Sequence, residues 1–227
     1  MLNDDPVRRE DFPVFAAANF NQAERPPWLK QRVTAGTAAV LEMMNDLHLN
    51  TVCLSASCPN IGECLGSRTA TFLILGGVCT RNCRFCAVPK GRPEKLDLEE
   101  PDRLVQAVRK LGLRHVVVTS VTRDDLSDGG AGQFARCIEK IREECPDVTT
   151  EVLVPDFCGD AEALDIVLKA APEVCNHNVE TVPGLYPEVR PGADFGRSLA
   201  LLRQAAIRGA CQVKTGLMLG LGEQERD

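Results

Sequence analysis

Thr71-Phe72-Leu73-Ile74-Leu75-Gly76-Gly77-Val78-Cys79-Thr80-Arg81-Asn82-Cys83-Arg84-Phe85-Cys86 decides how the rest of the chain is read. The apolar run Thr71–Leu75 predicts a buried strand, and Gly76 and Gly77 end it. Cys79, Cys83 and Cys86 follow with C-x3-C-x2-C spacing. Three thiolates this close in sequence can hold one face of a cube-shaped iron–sulfur cluster and leave its fourth iron without a protein ligand. An open metal position is where a substrate or cofactor can bind. Phe85 lies between the last two cysteines, and its ring is expected to exclude water there.

Just upstream stands a second group, Cys53, Cys58 and Cys64, spaced C-x4-C-x5-C. Pro59, Asn60 and Gly62 make this stretch a loop rather than a helix. Loop backbone is poorly buried, so three thiols here gather better around a metal than in a core. Zinc would need a fourth ligand, for which His48 is the nearby candidate. Beside the first group, iron–sulfur is the preferred reading.

Downstream of Cys86 the chain alternates short apolar strands with amphipathic helices. Strands are expected at 115–121, 150–154, 174–179 and 211–219. Helices are expected near 99–111, 132–145, 160–171 and 195–208. In the last of these, Leu199, Leu202 and Ala206 are expected to face inward and Gly209 to cap the end. With the strand at 71–75, the rhythm implies a parallel sheet with right-handed crossovers. It favours a curved, partly closed barrel over a flat doubly wound sheet. Ahead of it, residues 34–48 predict a helix with Val40, Leu41, Met44 and Leu47 on one face and Thr34 or Thr37 as cap. Residues 1 to about 30 read as an arm anchored by Trp28.

Polar residues gather just after the strands, where βα barrels carry their sites. Thr119 to Gly130 follows one strand and Asn178-Val179-Glu180-Thr181 ends another. Asp128-Gly129-Gly130 supplies backbone that can approach a ligand closely. Both cysteine groups are expected at this same end.

Composition sets the remaining bounds. The 227 residues carry a net charge of −6, against non-specific binding to nucleic acid or an anionic membrane. No apolar run reaches the length of a membrane span. The acidic N-terminus resembles neither a signal nor a transit peptide, so a cytoplasmic location is expected. Eleven cysteines without a secretory signal point to reduced thiols and metal rather than disulfides. The five scattered ones, Cys137, Cys145, Cys158, Cys175 and Cys211, are expected to fill core.

C-x3-C-x2-C after the first strand of a βα series resembles the radical S-adenosylmethionine (SAM) superfamily, and Gly216 to Glu223 is similar to its GxIxGxxE pattern. The second group, in the context Cys58-Pro59-Asn60-Ile61-Gly62-Glu63-Cys64, resembles the lipoyl synthase family, as do Thr119–Gly130 and Asn176–Val182. The resemblance implies an α/β fold, a partial (βα)6-type barrel over residues 69–227, preceded by an extension over 1–68 that carries an auxiliary cluster loop. It implies a [4Fe–4S] cluster on Cys79, Cys83 and Cys86 that binds S-adenosylmethionine and cleaves it to a 5′-deoxyadenosyl radical. It implies a second [4Fe–4S] cluster on Cys53, Cys58 and Cys64 that is consumed as two sulfurs enter C6 and C8 of an octanoyl-lysine. Gly129, Gly130, Asn178, Glu180 and Arg190 are the implied cofactor or substrate contacts. The implied partners are octanoylated lipoyl-carrier domains (the glycine cleavage H protein and 2-oxoacid dehydrogenase acyltransferase subunits), a flavodoxin or ferredoxin as electron donor, and iron–sulfur assembly proteins. A basic rim of Arg81, Arg84 and Lys90 would suit an acidic carrier. The family closes on a sixth strand and an Arg-Ser-Ser-Tyr segment whose serine ligates the second cluster. This sequence stops at Glu223–Asp227 and is therefore expected to be a fragment. The residues by themselves leave open a non-catalytic iron–sulfur or zinc module, and another radical enzyme with an auxiliary cluster.

Overall fold

A computed structural model describes residues 35–55, 63–64, 67–208 and 211–226. The elements run α1 (Ala35–Asp46), short α2 (Val52–Ser55), β1 (Thr69–Ile74), α3 (Glu100–Leu111), β2 (His115–Ser120), α4 (Ala131–Glu144), β3 (Thr149–Leu153), α5 (Ala161–Lys169), β4 (Val174–Asn176), short α6 (Tyr186–Val189), α7 (Phe195–Arg208) and β5 (Gln212–Lys214). The five strands form one parallel sheet in sequential order. Sequential order with right-handed crossovers puts every connecting helix on the same face. The sheet therefore curls as part of a barrel with helices outside, and no topological switch point interrupts it.

Strand alternation divides the sheet into two faces. Phe72, Val118, Val152 and Cys175 stand in register and are at most 1% exposed. They pack with helix residues such as Leu104, Val108, Phe134, Ile138 and Leu164 in one core. On the other face the register runs Leu73, Thr119, Leu153, Asn176, Lys214. This second row is more polar, as the lining of a barrel interior can be when it meets solvent or ligand.

The helices follow from their sequences. Pro101 occupies the first turn of α3, where its missing N–H costs nothing, and Gly112 closes the helix in the left-handed conformation. Asp160 caps α5 by accepting from the amides of Glu162 and Ala163. In α1, Met44 is buried and Val40, Met43 and Leu47 lean on the same core, close to the expected face. Thr37 falls inside α1 and is not its cap, while Thr34, Trp28 and Gly209 lie outside the described residues. Beyond α1 the chain is tied to β1: the Leu73 amide donates to the Asn50 carbonyl at 2.9 Å, and Thr51 Oγ1 donates to the Thr71 carbonyl at 2.7 Å. Among the described residues no helix is long and apolar enough to cross a membrane.

Three expectations need correcting. β4 and β5 are shorter than 174–179 and 211–219. β4 ends at Asn176 and β5 at Lys214; past them the pairing continues only as an isolated bridge between Glu180 and Leu217, with Glu180 itself at φ 63°. In α7 the inward face is Ser198, Leu201 and Ala205, while Leu199 is 45% exposed and Ala206 is exposed. A buried serine takes a position that a hydrophobic count assigns to leucine, because it has a hydrogen-bond partner inside. Cys137, Cys145 and Cys175 do fill core, but Cys158 is exposed and Cys211 half-buried. Cys158 sits at φ 53° in a tight turn, where its side chain points off the core.

Candidate functional site

The carboxyl end of β1 is held in place before the cysteines begin. Leu75 takes the left-handed conformation at φ 69°, a strained choice for a branched side chain. Its amide donates to Glu100 Oε2 at 3.0 Å, and its carbonyl accepts from Arg123 Nη1 at 3.1 Å. Both partners are buried, and Arg123 is itself paired with Asp125. Burial pushes the Glu100 carboxyl above its ordinary range, against the pull of the Leu75 and Gln133 N–H groups.

From here the chain enters a closed loop. The Cys79 amide donates to the Pro89 carbonyl at 2.8 Å, and the Gly91 amide donates to the Cys79 carbonyl at 3.0 Å. Thr80 is stitched to the segment after β2: its amide and hydroxyl both donate to the Thr122 carbonyl, and its hydroxyl accepts from the Asp124 amide. Two backbone amides point at one sulfur: Cys79 Sγ accepts from Arg81 N at 3.4 Å and from Thr122 N at 3.3 Å. Cys79, Cys83 and Cys86 are all half-buried, as is Phe85. Burial raises the Cys83 thiol above its usual range, the Arg190 cation opposes this, and Cys86 and Cys79 add to it.

Arg190, Asn178 and Glu180 come together beside Cys83. The Arg190 Nη1 donates to the carbonyls of Asn178 at 2.9 Å and Val179 at 3.2 Å and to the Tyr186 hydroxyl at 3.1 Å. Its Nε is buried without a partner. The Glu180 carboxyl is pushed up by burial, with Arg190 and the Asn178 side chain holding it down. Gly216 lies against this cluster so tightly that a β-carbon on it would stand 2.8 Å from Asn178 Oδ1. Gly129 and Gly130 stand apart from these three. They form the turn that starts α4, with Asp128 accepting from the Gly130 and Gly132 amides at 2.9 and 2.8 Å. A β-carbon on Gly130 would fall 2.2 Å from Leu75 Cδ1, and one on Gly129 3.0 Å from Phe157. Packing and positive φ require glycine at both.

Of the second cysteine group, Cys53 on α2 and Cys64 are half-buried, and Cys58 lies outside the described residues. Among the described residues no three His, Cys, Asp or Glu side chains are drawn together as ligands of a single ion. A cube of four irons spreads its ligands wider than one ion does. The donor set at Cys79, Cys83 and Cys86 fits such a cluster on other grounds: three thiols on one loop, two N–H groups aimed at the first, and a cation at the second.

Arg81 is not part of a basic rim. It is 8% exposed and forms a fork to Asp124, with Nε at 2.7 Å from Oδ2 and Nη2 at 2.8 Å from Oδ1, while Nη2 also lies 2.7 Å from Asp156 Oδ1. Arg84 is half-buried and Lys90 exposed. Sequence reasoning missed Asp124, Asp156 and Glu100 as partners of this loop. The signal available was an acidic residue three or four positions past the end of a strand, as Asp156 and Asp124 are; Glu100, in a helix, gave none. It also missed His177, 1% exposed, whose Nδ1 lies 2.8 Å from the Val154 carbonyl and whose Nε2 lies 2.9 Å from Ser198 Oγ.

Comparison with known proteins returns the Radical SAM superfamily over residues 73–227. The chain is 56% identical over 205 residues to a lipoyl synthase of Caldanaerobacter subterraneus subsp. tengcongensis, covering 89% of this chain and 72% of that one. It is 56% identical over 206 residues to a lipoyl synthase of Rubrobacter xylanophilus, covering 89% and 64%. A Caldicellulosiruptor saccharolyticus lipoyl synthase is 53% identical over 209 residues, covering 91% and 73%. Among solved structures, HydG, a maturase of the [FeFe]-hydrogenase, superposes with TM-score 0.55 at 16% identity over 86% of this chain and 49% of that one. Methylornithine synthase gives TM-score 0.53 at 16% identity over 86% and 55%. These two share the fold.

Proposed function

Because the chain belongs to the lipoyl synthase family of the radical SAM superfamily, we propose that it inserts two sulfur atoms at C6 and C8 of a protein-bound octanoyl-lysine. The observation that carries this reading is the Cys79–Cys86 loop at the carboxyl end of β1, prepared for thiolate ligands by the amides of Arg81 and Thr122. Cys79, Cys83 and Cys86 would hold a [4Fe–4S] cluster there, which with S-adenosylmethionine would supply one-electron reductive cleavage of the cofactor. The chain's own residues bind, orient and exclude water. Cys79, Cys83 and Cys86 are the ligands, and Phe85 shields one side. Arg190, with its unpartnered Nε, takes an anionic group of the cofactor, and Asn178 and Glu180 take its hydroxyl or amino donors. We assign Gly129 and Gly130, in the turn that starts α4 against Phe157 and Leu75, a separate backbone contact with the cofactor.

We assign Cys53, Cys58 and Cys64 to a second [4Fe–4S] cluster that is the source of the inserted sulfur, and residues 1–68 to the extension that carries it. The octanoyl group comes on a lipoyl-carrier domain, the electron from a flavodoxin or ferredoxin, and replacement clusters from assembly proteins.

The test is product analysis on an octanoylated carrier peptide under reducing, anaerobic conditions. Cys79→Ala is expected to abolish 5′-deoxyadenosine formation. Cys58→Ala is expected to keep it and yield no lipoyl group. Lipoyl product from Cys58→Ala at the unmodified rate would remove the sulfur-donor role.

A further inference from the structure

We infer that Arg81 is a positioning residue that sets the hydrogen bonding and charge around Cys79, by clamping the cysteine loop to the ends of β2 and β3. This rests on the reading of that loop as a cluster site. Arg81 lies between two proposed ligands, yet its side chain turns away from them. Its guanidinium occupies the junction where the segments after β2 and β3 meet, with Asp124 from one and Asp156 from the other. The Asp156 side chain is fully buried. It is held by a second arginine as well, Arg197 of α7, at 3.1 Å.

The geometry makes a clamp rather than a simple ion pair. A planar guanidinium presents donors in a fixed fork, so binding two carboxylates fixes both its position and its orientation. Fixing the side chain fixes the Arg81 backbone, whose N–H is aimed at Cys79 Sγ at 3.4 Å. The other N–H on that sulfur comes from Thr122, two residues from Asp124, so the same ion pair anchors both donors. The Thr80–Thr122 bonds close the short ladder between the two segments. This arrangement is complete within the polypeptide. The loop is therefore held near its ligand-binding shape before iron arrives.

Two consequences separate this role from general stability. Hydrogen bonds to a ligating sulfur and nearby net charge both set the potential of an iron–sulfur cluster. Removing the Arg81 charge leaves two carboxylates facing the loop and loosens both N–H donors. Each change makes the cluster harder to reduce. Lysine at this position keeps the charge but not the fork, so it should preserve the potential better than it preserves loop geometry.

The experiment is a reductive titration of the reconstituted full chain, followed by electron paramagnetic resonance with S-adenosylmethionine present so that the cofactor-binding cluster is the one observed. Loss of iron to a chelator is timed on the same samples, for the unmodified chain, Arg81→Gln, Arg81→Lys and Asp124→Asn. Expected for Arg81→Gln is reduction at least about tenfold less favourable, about 59 mV for a one-electron couple, with iron lost several-fold faster. Arg81→Lys should lose iron faster with a smaller shift in potential. Asp124→Asn serves if Arg81→Gln does not fold, since Asp156 still holds the arginine; it should give faster iron loss with a smaller shift in potential than Arg81→Gln, because the lost negative charge offsets the loosened N–H donors. Folded variants with unchanged potential and unchanged iron retention would overturn the inference. If the unmodified chain takes up no iron, the cluster reading fails, an outcome separate from any Arg81 effect.

Discussion

The amide of Leu75 donates to the carboxylate of Glu100 at 3.0 Å, so the first turn of α3 fixes the strained residue from which the cysteine loop departs. Glu100 is 4% exposed, and this bond and one from Gln133 compensate for its burial. Glu100→Ala orphans the Leu75 amide and should cost about 1–3 kcal/mol in urea unfolding. The pH dependence runs in an unusual direction for an acid. Burial raises the folded-state value, so the folded chain favours the protonated form. The stability that Glu100 contributes is fully present below about pH 4.3, its ordinary value, and is lost as pH rises through the raised one. Glu100→Gln should flatten that part of the profile; an unchanged slope would show that Glu100 does not titrate there.

His177 should act in the opposite sense. Burial lowers its folded-state value, and its two nitrogens are engaged as a neutral ring. With Nδ1–H donating to the Val154 carbonyl, Nε2 accepts from the Ser198 hydroxyl. The stability tied to this neutral ring is present above about pH 6.5 and lost as pH falls through the lowered value. Thermal unfolding measured between pH 7.5 and pH 5 should fall for the unmodified chain and fall less for His177→Gln. Ser198→Ala should cost about 1–2 kcal/mol by leaving Nε2 unpaired.

Gly130→Ala is expected to be among the most damaging small substitutions. The new methyl would stand 2.2 Å from Leu75 Cδ1, at a backbone φ of 90°. Overpacking of this kind costs about 1–3 kcal/mol, and the backbone strain adds to it. Leu75→Ala in the same chain should relieve the clash but not the strain. Calorimetric melting of the single and double variants separates the two, and equal melting of Gly130→Ala and the unmodified chain would refute the contact.

Thiol reactivity should divide the scattered cysteines. Cys158 is exposed, whereas Cys137 and Cys175 are at most 1% exposed, and burial pushes the Cys175 thiol up to about 12. Timed alkylation of the folded chain with peptide mass mapping should label Cys158 well before Cys137 or Cys175. Simultaneous labelling would mean that the core opens on the same timescale.

Spacing and periodicity made much of this chain readable in advance. Repeated apolar runs with helical stretches between them implied a parallel sheet, because crossovers need helices and buried strands need apolar residues on both faces. The cysteine spacings and the polar residues after each strand pointed to the carboxyl ends of the strands as the candidate site, since parallel strands bring those ends together. Asn178, Glu180 and Arg190 were legible as a group only through their resemblance to the family; nothing in residue spacing brings position 190 to position 83.

What the tertiary structure alone decided is pairing at a distance. Arg81 reads as one more surface charge until two carboxylates, 43 and 75 positions later, are seen to bury it. Glu100 lies in a helix with no local signal that its carboxylate reaches Leu75. Ser198 displaces Leu199 from the inward face of α7 because His177, on another element, has a nitrogen to satisfy. Local sequence fixes periodicity, turns and ligand spacing, which depend on neighbouring residues. The partner of a buried polar group depends on which strands the fold sets side by side, and that is known only once the chain has closed on itself.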